Sequence, residues 1–248
     1  MIELADEGVV LRTYPSGEAD RVVVLWTRTS GKVRLLARGV RRPQSRMGGA
    51  LEPLAHVRVD AVRSRGALFV TRHVAHLARF EHLRTDYDRI LAGLSVIEAI
   101  DAIPVDDLVD NELYETLLRV LVTLDDPTYY PTLVAPAFFA RLLVHDGVAP
   151  EVNECARCAS PGPLVAFHAP SGGALCRDCR TGRVITPEAL GLAQRMLGGD
   201  LAGVLREARP AGSGEITAVF TEALEEHLGR RLKSARTALE AGTTRTVP

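Results

Sequence analysis

Apolar and polar residues alternate at a period of two through most of the first eighty positions. Residues 8–14 (GVVLRTY), 20–28 (DRVVVLWTR), 31–38 (GKVRLLAR), 54–63 (LAHVRVDAVR) and 67–75 (ALFVTRHVA) are rich in Val, Leu and aromatics. Turn-forming residues separate them at Pro15-Ser16-Gly17, Ser30-Gly31, Gly39 to Pro53 and Ser64-Arg65-Gly66, so each segment reads as a strand. Val33, Leu35 and Ala37 alternate with Lys32, Arg34, Leu36 and Arg38, which gives the third strand one apolar and one mostly cationic face. Five short strands in a row predict a small closed barrel; an OB-fold fits the pattern, and so does an SH3-like barrel. Trp26, Tyr14 and Phe69 are aromatics of a kind that stacks on bases, but Trp26 shares its strand face with Val22 and Val24, which favours a core role for it.

From about Tyr87 the period lengthens to that of a helix. Ile90, Leu91, Leu94, Ile97 and Ile100 fall at helical spacing, and Leu113, Leu117, Leu121 and Leu124 repeat it. A third helix is expected over Thr132 to Asp146, with Phe138, Leu142 and Leu143 inward and Gly147 past its end. Pro187 opens another, running to Leu197. A long last helix is expected from about Gly214, striped by Ile216, Val219, Phe220, Leu224, Leu228 and Leu232. The expected organisation is therefore α+β: a barrel domain over residues 1–80, then a helical domain over 81–248 interrupted at about 150–185 by a cysteine segment.

Composition supports an ordinary globular chain of 248 residues, 46% hydrophobic and 25% charged, able to bury a real core. No run reaches the roughly 18 apolar residues of a membrane span. The opening residues lack the basic and apolar regions of a secretory signal, so a cytoplasmic location is expected.

Charge changes the picture more. The formal net charge is only −1, yet residues 1–80 carry 14 basic against 7 acidic residues and residues 81–150 carry 4 against 13. A basic strand-rich segment beside an acidic helical one is how a polyanion-binding face looks in sequence. Its densest stretch holds Lys32, Arg34, Arg38, Arg41, Arg42 and Arg46, beginning on a strand and continuing into a loop with Gly39 and Ser45. Glycine lets backbone N–H groups approach phosphates, and guanidinium groups grip them bidentately. Arg12, Arg21, Arg58, Arg63 and Arg72 on other strands are expected to reinforce that field. A second basic group, Arg230-Arg231 with Lys233 and Arg236, is expected to close the last helix, where cations also complement its dipole.

All four cysteines lie in two CxxC pairs, Cys155/Cys158 and Cys176/Cys179. Two residues of spacing let both thiolates of a pair turn onto one ion, and the connecting hairpin brings round the second pair. Four sulfur ligands suit a tetrahedral Zn²⁺ and leave no open position, so the metal is expected to be structural. Redox disulfides would need an oxidising compartment or a thioredoxin-like context, and neither is visible. There is no GxxxxGK[ST], HExxH, GxSxG or complete GxGxxG. Asp106-Asp107 and Asp125-Asp126 fall at helix boundaries and do not resemble a two-metal nuclease site, so a non-enzyme is expected.

Three ordered groups of residues together resemble one family. They are Gly8-Val-Val-Leu11, Gly17-Glu18-Ala-Asp20-Arg21, Thr27, Gly31, Gly39-Val-Arg41-Arg42, Ser45 and Leu51-Glu-Pro53; then Phe167 and Ser171-Gly172-Gly173 before Cys176; then His227-Leu-Gly-Arg230-Arg231-Leu-Lys233-Ser234. The chain resembles the bacterial RecO family of DNA repair proteins over nearly its whole length. The resemblance implies an N-terminal OB-fold and a helical C-terminal domain carrying a zinc finger. It also implies non-catalytic work: binding single- and double-stranded DNA, annealing complementary strands, and helping to load RecA onto strands covered by single-strand-binding protein, with RecR and sometimes RecF as partners. Some members of that family lack the cysteines, which favours a scaffolding metal here. An RNA- or ribosome-binding module built from the same barrel and finger is the alternative, and a nuclease with a dispersed site is a second.

Overall fold

The computed structural model describes residues 2–42, 44–45, 47–63, 66–104 and 109–244, with side chains to residue 240. Five strands form the barrel: β1 (Ile2–Ser16), β2 (Asp20–Thr27), β3 (Gly31–Ala37), β4 (His56–Arg63) and β5 (Phe69–Ala78). They close in the order β1-β2-β3-β5-β4, antiparallel except for a short parallel contact of Leu35 and Leu36 with Phe69 and Val70. This is the OB-like ring the strand pattern predicts. Val23, Leu25, Val33, Leu35, Val57, Val59 and Ala61 point inward and are at most 7% exposed.

Strand β1 starts six residues before the expected Gly8. Its first half, Ile2 to Val9, pairs with β4, and Gly8 to Ser16 pairs with β2, with an irregularity between Val10 and Arg12 where the strand bends round the ring. Acids in residues 2–7 hide this strand in the sequence. They are tolerated because they have partners: Glu7 accepts from Arg58 Nη2 at 2.5 Å, and Asp6 accepts from the Thr29 backbone N–H and hydroxyl at 3.0 and 2.8 Å.

Among the described residues, helices follow as α1 (Glu81–Thr85), α2 (Tyr87–Ala102), α3 (Asn111–Asp125), α4 (Val134–His145), α5 (Pro187–Leu197), α6 (Leu201–Leu205), α7 (Ser213–Leu228) and α8 (Lys233–Thr244). The chain forms two compact units, Met1–Arg84 with Ile97–Asp125, and Thr85–Val96 with Asp126–Pro248.

In the first unit, polar contacts fasten residues 97–125 to the barrel's outside. Arg12 Nε meets Asp101 at 2.5 Å, Arg28 meets Glu115 at 2.6 Å, and His56 Nε2 and the Tyr114 hydroxyl lie 3.0 Å apart. Burial lowers the pKa of His56 and pushes the Tyr114 phenol up to about 12. Val22, Val24 and Trp26 face outward from β2 yet are at most 4% exposed, so this strand is buried on both faces. Trp26 is core, as its neighbours predict.

In the second unit α7 packs against α4, α5 and α8. The expected single last helix is two. Gly229 adopts φ +63° and ends α7, with its N–H on the Glu226 carbonyl. The buried Glu225 carboxylate then accepts the Leu232 backbone N–H at 2.7 Å and the Arg236 guanidinium, fixing the start of α8. Leu232 remains fully buried, so the apolar stripe is real while the helix carrying it is broken. Arg230, Arg231 and Lys233 therefore stand at the break, exposed, and not at the end of one long helix. Asp125 and Asp126 serve locally: Asp125 accepts the Leu83 N–H, and Asp126 accepts the Thr128 N–H and hydroxyl, which lower its pKa. Asp106 and Asp107 lie outside the described residues.

Candidate nucleic-acid surface and metal centre

The cationic loop after β3 is built by hydrogen bonds to the β1–β2 turn. Asp20 Oδ1 accepts the Gly39 N–H at 2.7 Å, the Ala19 carbonyl accepts the Arg41 N–H at 2.9 Å, and Arg41 Nη1 reaches the Gly17 carbonyl at 3.3 Å. Arg21 then pairs with Glu52 at 2.7 Å. The segments around 17–21, 39–42 and 51–53, distant in sequence, thus form one hydrogen-bonded assembly. Gly17 and Gly39 both have φ above +60°, which ordinary side chains avoid, and the two tight turns depend on that freedom. Val40 and Leu51 insert into the barrel core and anchor the loop from inside.

The six basic residues expected at this surface do not share one fate. Arg38, Arg41 and Arg42 are exposed, and none of them is ion-paired with an acidic side chain among the described residues. Arg34 is half-buried. Lys32 departs from the expectation: it is 7% exposed, and its ammonium donates to the carbonyls of Asp101 and Ile103 at 3.0 and 2.5 Å. Those carbonyls belong to the end of α2, where backbone acceptors lack helical partners and a cation is favoured. The strand face read as an open cationic surface is covered at this end. Arg46 lies outside the described residues.

The reinforcing arginines are also redirected. Arg12 pairs with Asp101, Arg21 with Glu52, Arg58 with Glu7, and Arg72 with Glu3 at 3.8 Å, while Arg63 lies over the Phe69 ring at 4.6 Å. Much of the basic excess of residues 1–80 is therefore neutralised within the unit, while Arg38, Arg41 and Arg42 stand open in the loop after β3. Sequence reasoning missed Asp20 and Glu52 as the acids that shape this surface. Their signal was present in the motifs, as lone acids flanking a glycine-rich cationic run.

The four cysteines converge. Cys155 and Cys158 lie on a loop, and Cys176 and Cys179 lie at and after the end of β7 (Gly173–Cys176), which pairs with β6 (Leu164–His168); β8 (Arg183–Val184) completes the sheet in the order β7-β6-β8. All four sulfurs lie within 4.8 Å of one another, and those of Cys158 and Cys176 are 3.8 Å apart. A tetrahedral ion with metal–sulfur bonds of about 2.3 Å places its ligands about 3.8 Å apart, so the group fits. Backbone N–H groups of Cys176, then Arg157 and Cys158, hold the Cys155 thiol down to about 6 against its burial, whereas hydrogen bonds with Cys158 and Cys176 push Cys179 up to about 12. The Cys155 thiolate forms readily, whereas Cys158 and Cys179 resist until a cation shares their charge. The Ala174 N–H bonds to the Glu151 carbonyl at 2.7 Å, and a Cβ at Gly173 would sit 2.2 Å from that oxygen, which explains the glycine.

A groove of about 760 Å³ in the second unit is lined by Leu91, Ala135, Phe139, Ala218 and Leu239 among others. Two charged groups on its wall are engaged: Arg183 pairs with Glu222, and Glu215 accepts from the Thr186 N–H and hydroxyl. His227 Nε2 and Asp146 lie 2.8 Å apart. No described helix is long and apolar enough to cross a membrane.

Comparison with known proteins gives two family matches and a set of full-length relatives. Residues 1–77 match the family described as Recombination protein O N terminal, and residues 84–236 match Recombination protein O C terminal. The DNA repair protein RecO of Streptomyces coelicolor is 39% identical over 246 residues, covering 93% of this chain and 96% of that one. Those of Streptomyces griseus and Streptomyces avermitilis are 38% and 37% identical, with the same shares covered.

Proposed function

The chain belongs to the RecO family of DNA repair proteins, and from that premise we propose that it is a non-catalytic recombination mediator. It binds single- and double-stranded DNA, anneals complementary strands, and helps load RecA onto strands covered by single-strand-binding protein. RecR, and in some settings RecF, are its protein partners, and it works at the nucleoid in the cytoplasm. The observation supporting a nucleic-acid surface is the loop with Arg38, Arg41 and Arg42 exposed and, among the described residues, free of acidic partners, on a turn held by Asp20.

The mechanism is electrostatic. Each cation that neutralises a phosphate releases condensed counterions, and two strands screened by one protein repel each other less and pair sooner. Arg38, Arg41 and Arg42 contact phosphate, and the sequence pattern assigns Arg34 and Arg46 the same role. Lys32 serves the end of α2 instead. Cys155, Cys158, Cys176 and Cys179 hold one Zn²⁺, which staples the finger and takes no part in chemistry.

The test is annealing of complementary strands precoated with single-strand-binding protein, without ATP. Acceleration by the wild-type chain and its loss in R38E/R41E/R42E support the reading, whereas equal rates with and without protein overturn it. Competition by an RNA oligonucleotide of equal length, if stronger than DNA, would favour the RNA-binding alternative.

A further inference from the structure

We propose that Tyr14 is a base-stacking residue that makes this barrel distinguish unpaired from paired strands; the inference rests on the nucleic-acid reading of the neighbouring loop. Of the barrel-strand aromatics, Trp26 is fully buried and Phe69 is 9% exposed beneath Arg63. Tyr14 is 39% exposed. Among the described residues of the five strands it is the aromatic that offers its ring to solvent.

Its setting is specific. Register pairs Tyr14 with Val22 and Val22 with Leu36, so these three share the outer face of adjoining strands. Val22 is buried and Leu36 half-buried, so of these two neighbours Leu36 is the one that offers apolar surface. Two strand spacings place Tyr14 about 10 Å from the Leu36 backbone, and Arg38 follows two residues later toward the cationic loop. Gly17, whose carbonyl receives Arg41, lies three residues beyond Tyr14. The ring and the exposed guanidinium groups thus belong to neighbouring segments at one end of the barrel.

The ring is also held in place. Arg12 Cζ lies 5.5 Å from its centroid, and Arg12 is itself anchored by Asp101 at 2.5 Å. A cation on an aromatic face restrains the ring before any ligand arrives, so less freedom is lost on stacking. An unpaired base has a face to give; a base within a duplex is already stacked on both sides. Phosphate contacts at Arg38, Arg41 and Arg42 are blind to that difference, and Tyr14 supplies it.

The experiment measures affinity for a labelled oligothymidine and for a duplex of equal length across a salt series, using wild type, Y14L, Y14W and R38E/R41E/R42E. Y14L should lower single-strand affinity about tenfold. It should leave duplex affinity and the slope of log affinity against log salt unchanged, because no phosphate contact is removed. Y14W should retain single-strand preference, and its introduced indole should be quenched on binding, since Trp26 is buried. Equal loss on both substrates, or none on the single strand, overturns the inference. If R38E/R41E/R42E weakens binding while Y14L does not, only the stacking role fails; if the triple variant binds like wild type, the loop reading fails with it.

Discussion

The barrel and the cysteine finger are both small sheets, but they are held by different forces. Fourteen buried residues form the barrel core, from Leu4 to Phe69. The finger's own cluster has four, Cys155, Ala166, Leu175 and Cys176, and two of those belong to the four-sulfur cluster. At roughly 25 cal/mol per Å² of apolar surface, the first can sustain a fold and the second cannot. In the proposed zinc site, sulfur coordination supplies what burial lacks.

That contrast can be broken most severely at the sulfurs. Exchanging Cys176 for Ser should remove metal binding and with it a local folding contribution on the order of 10 kcal/mol. Limited proteolysis should then cut within residues 150–185 while the barrel survives, and metal analysis of the wild type should give about one zinc per chain. A finger that stays protease-resistant without metal would end the comparison. In the barrel, Leu35→Ala should cost about 2–5 kcal/mol in denaturant unfolding, because the side chain is fully buried in a closed ring. The same change at the exposed Val184 should be nearly silent.

A smaller effect is expected for Asp20→Ala. Loss of the carboxylate that receives the Gly39 N–H should lower stability by about 1 kcal/mol and loosen the cationic loop, weakening binding to every DNA sequence alike. The smallest effect concerns His56. Burial holds its folded pKa below the ordinary 6.5, so the unfolded chain takes up a proton that the native state refuses. Stability should therefore fall as pH drops through 6.5 toward the lowered folded value, and H56Q should flatten that part of the profile.

Strand positions, the closed barrel and the clustering of the four cysteines were legible because each follows from local pattern: alternation, turn residues and CxxC spacing. The break at Gly229 was not, since the stripe from Ile216 to Leu232 keeps its phase across the gap and only the Glu225 carboxylate shows how the chain restarts. Nor was the first half of β1, whose acids are explained by partners fifty residues away, such as Arg58. Cation counts overstated the open charge. Lys32, Arg12 and Arg58 look like Arg38 and Arg42 in a sequence, but they are used inside the unit, and only coordinates separate the two groups.

The interlock of Asp20, Arg21 and Arg41 with neighbouring turns carries an engineering consequence. Residues 37–42 transplanted alone onto another five-stranded ring would lose their shape, because their hydrogen-bond partners sit on the preceding hairpin. A transferable module must include residues 17–21 and Glu52 as well. Natural insertions should likewise be tolerated at the hairpin linking β4 to β5 far better than between Gly17 and Asp20.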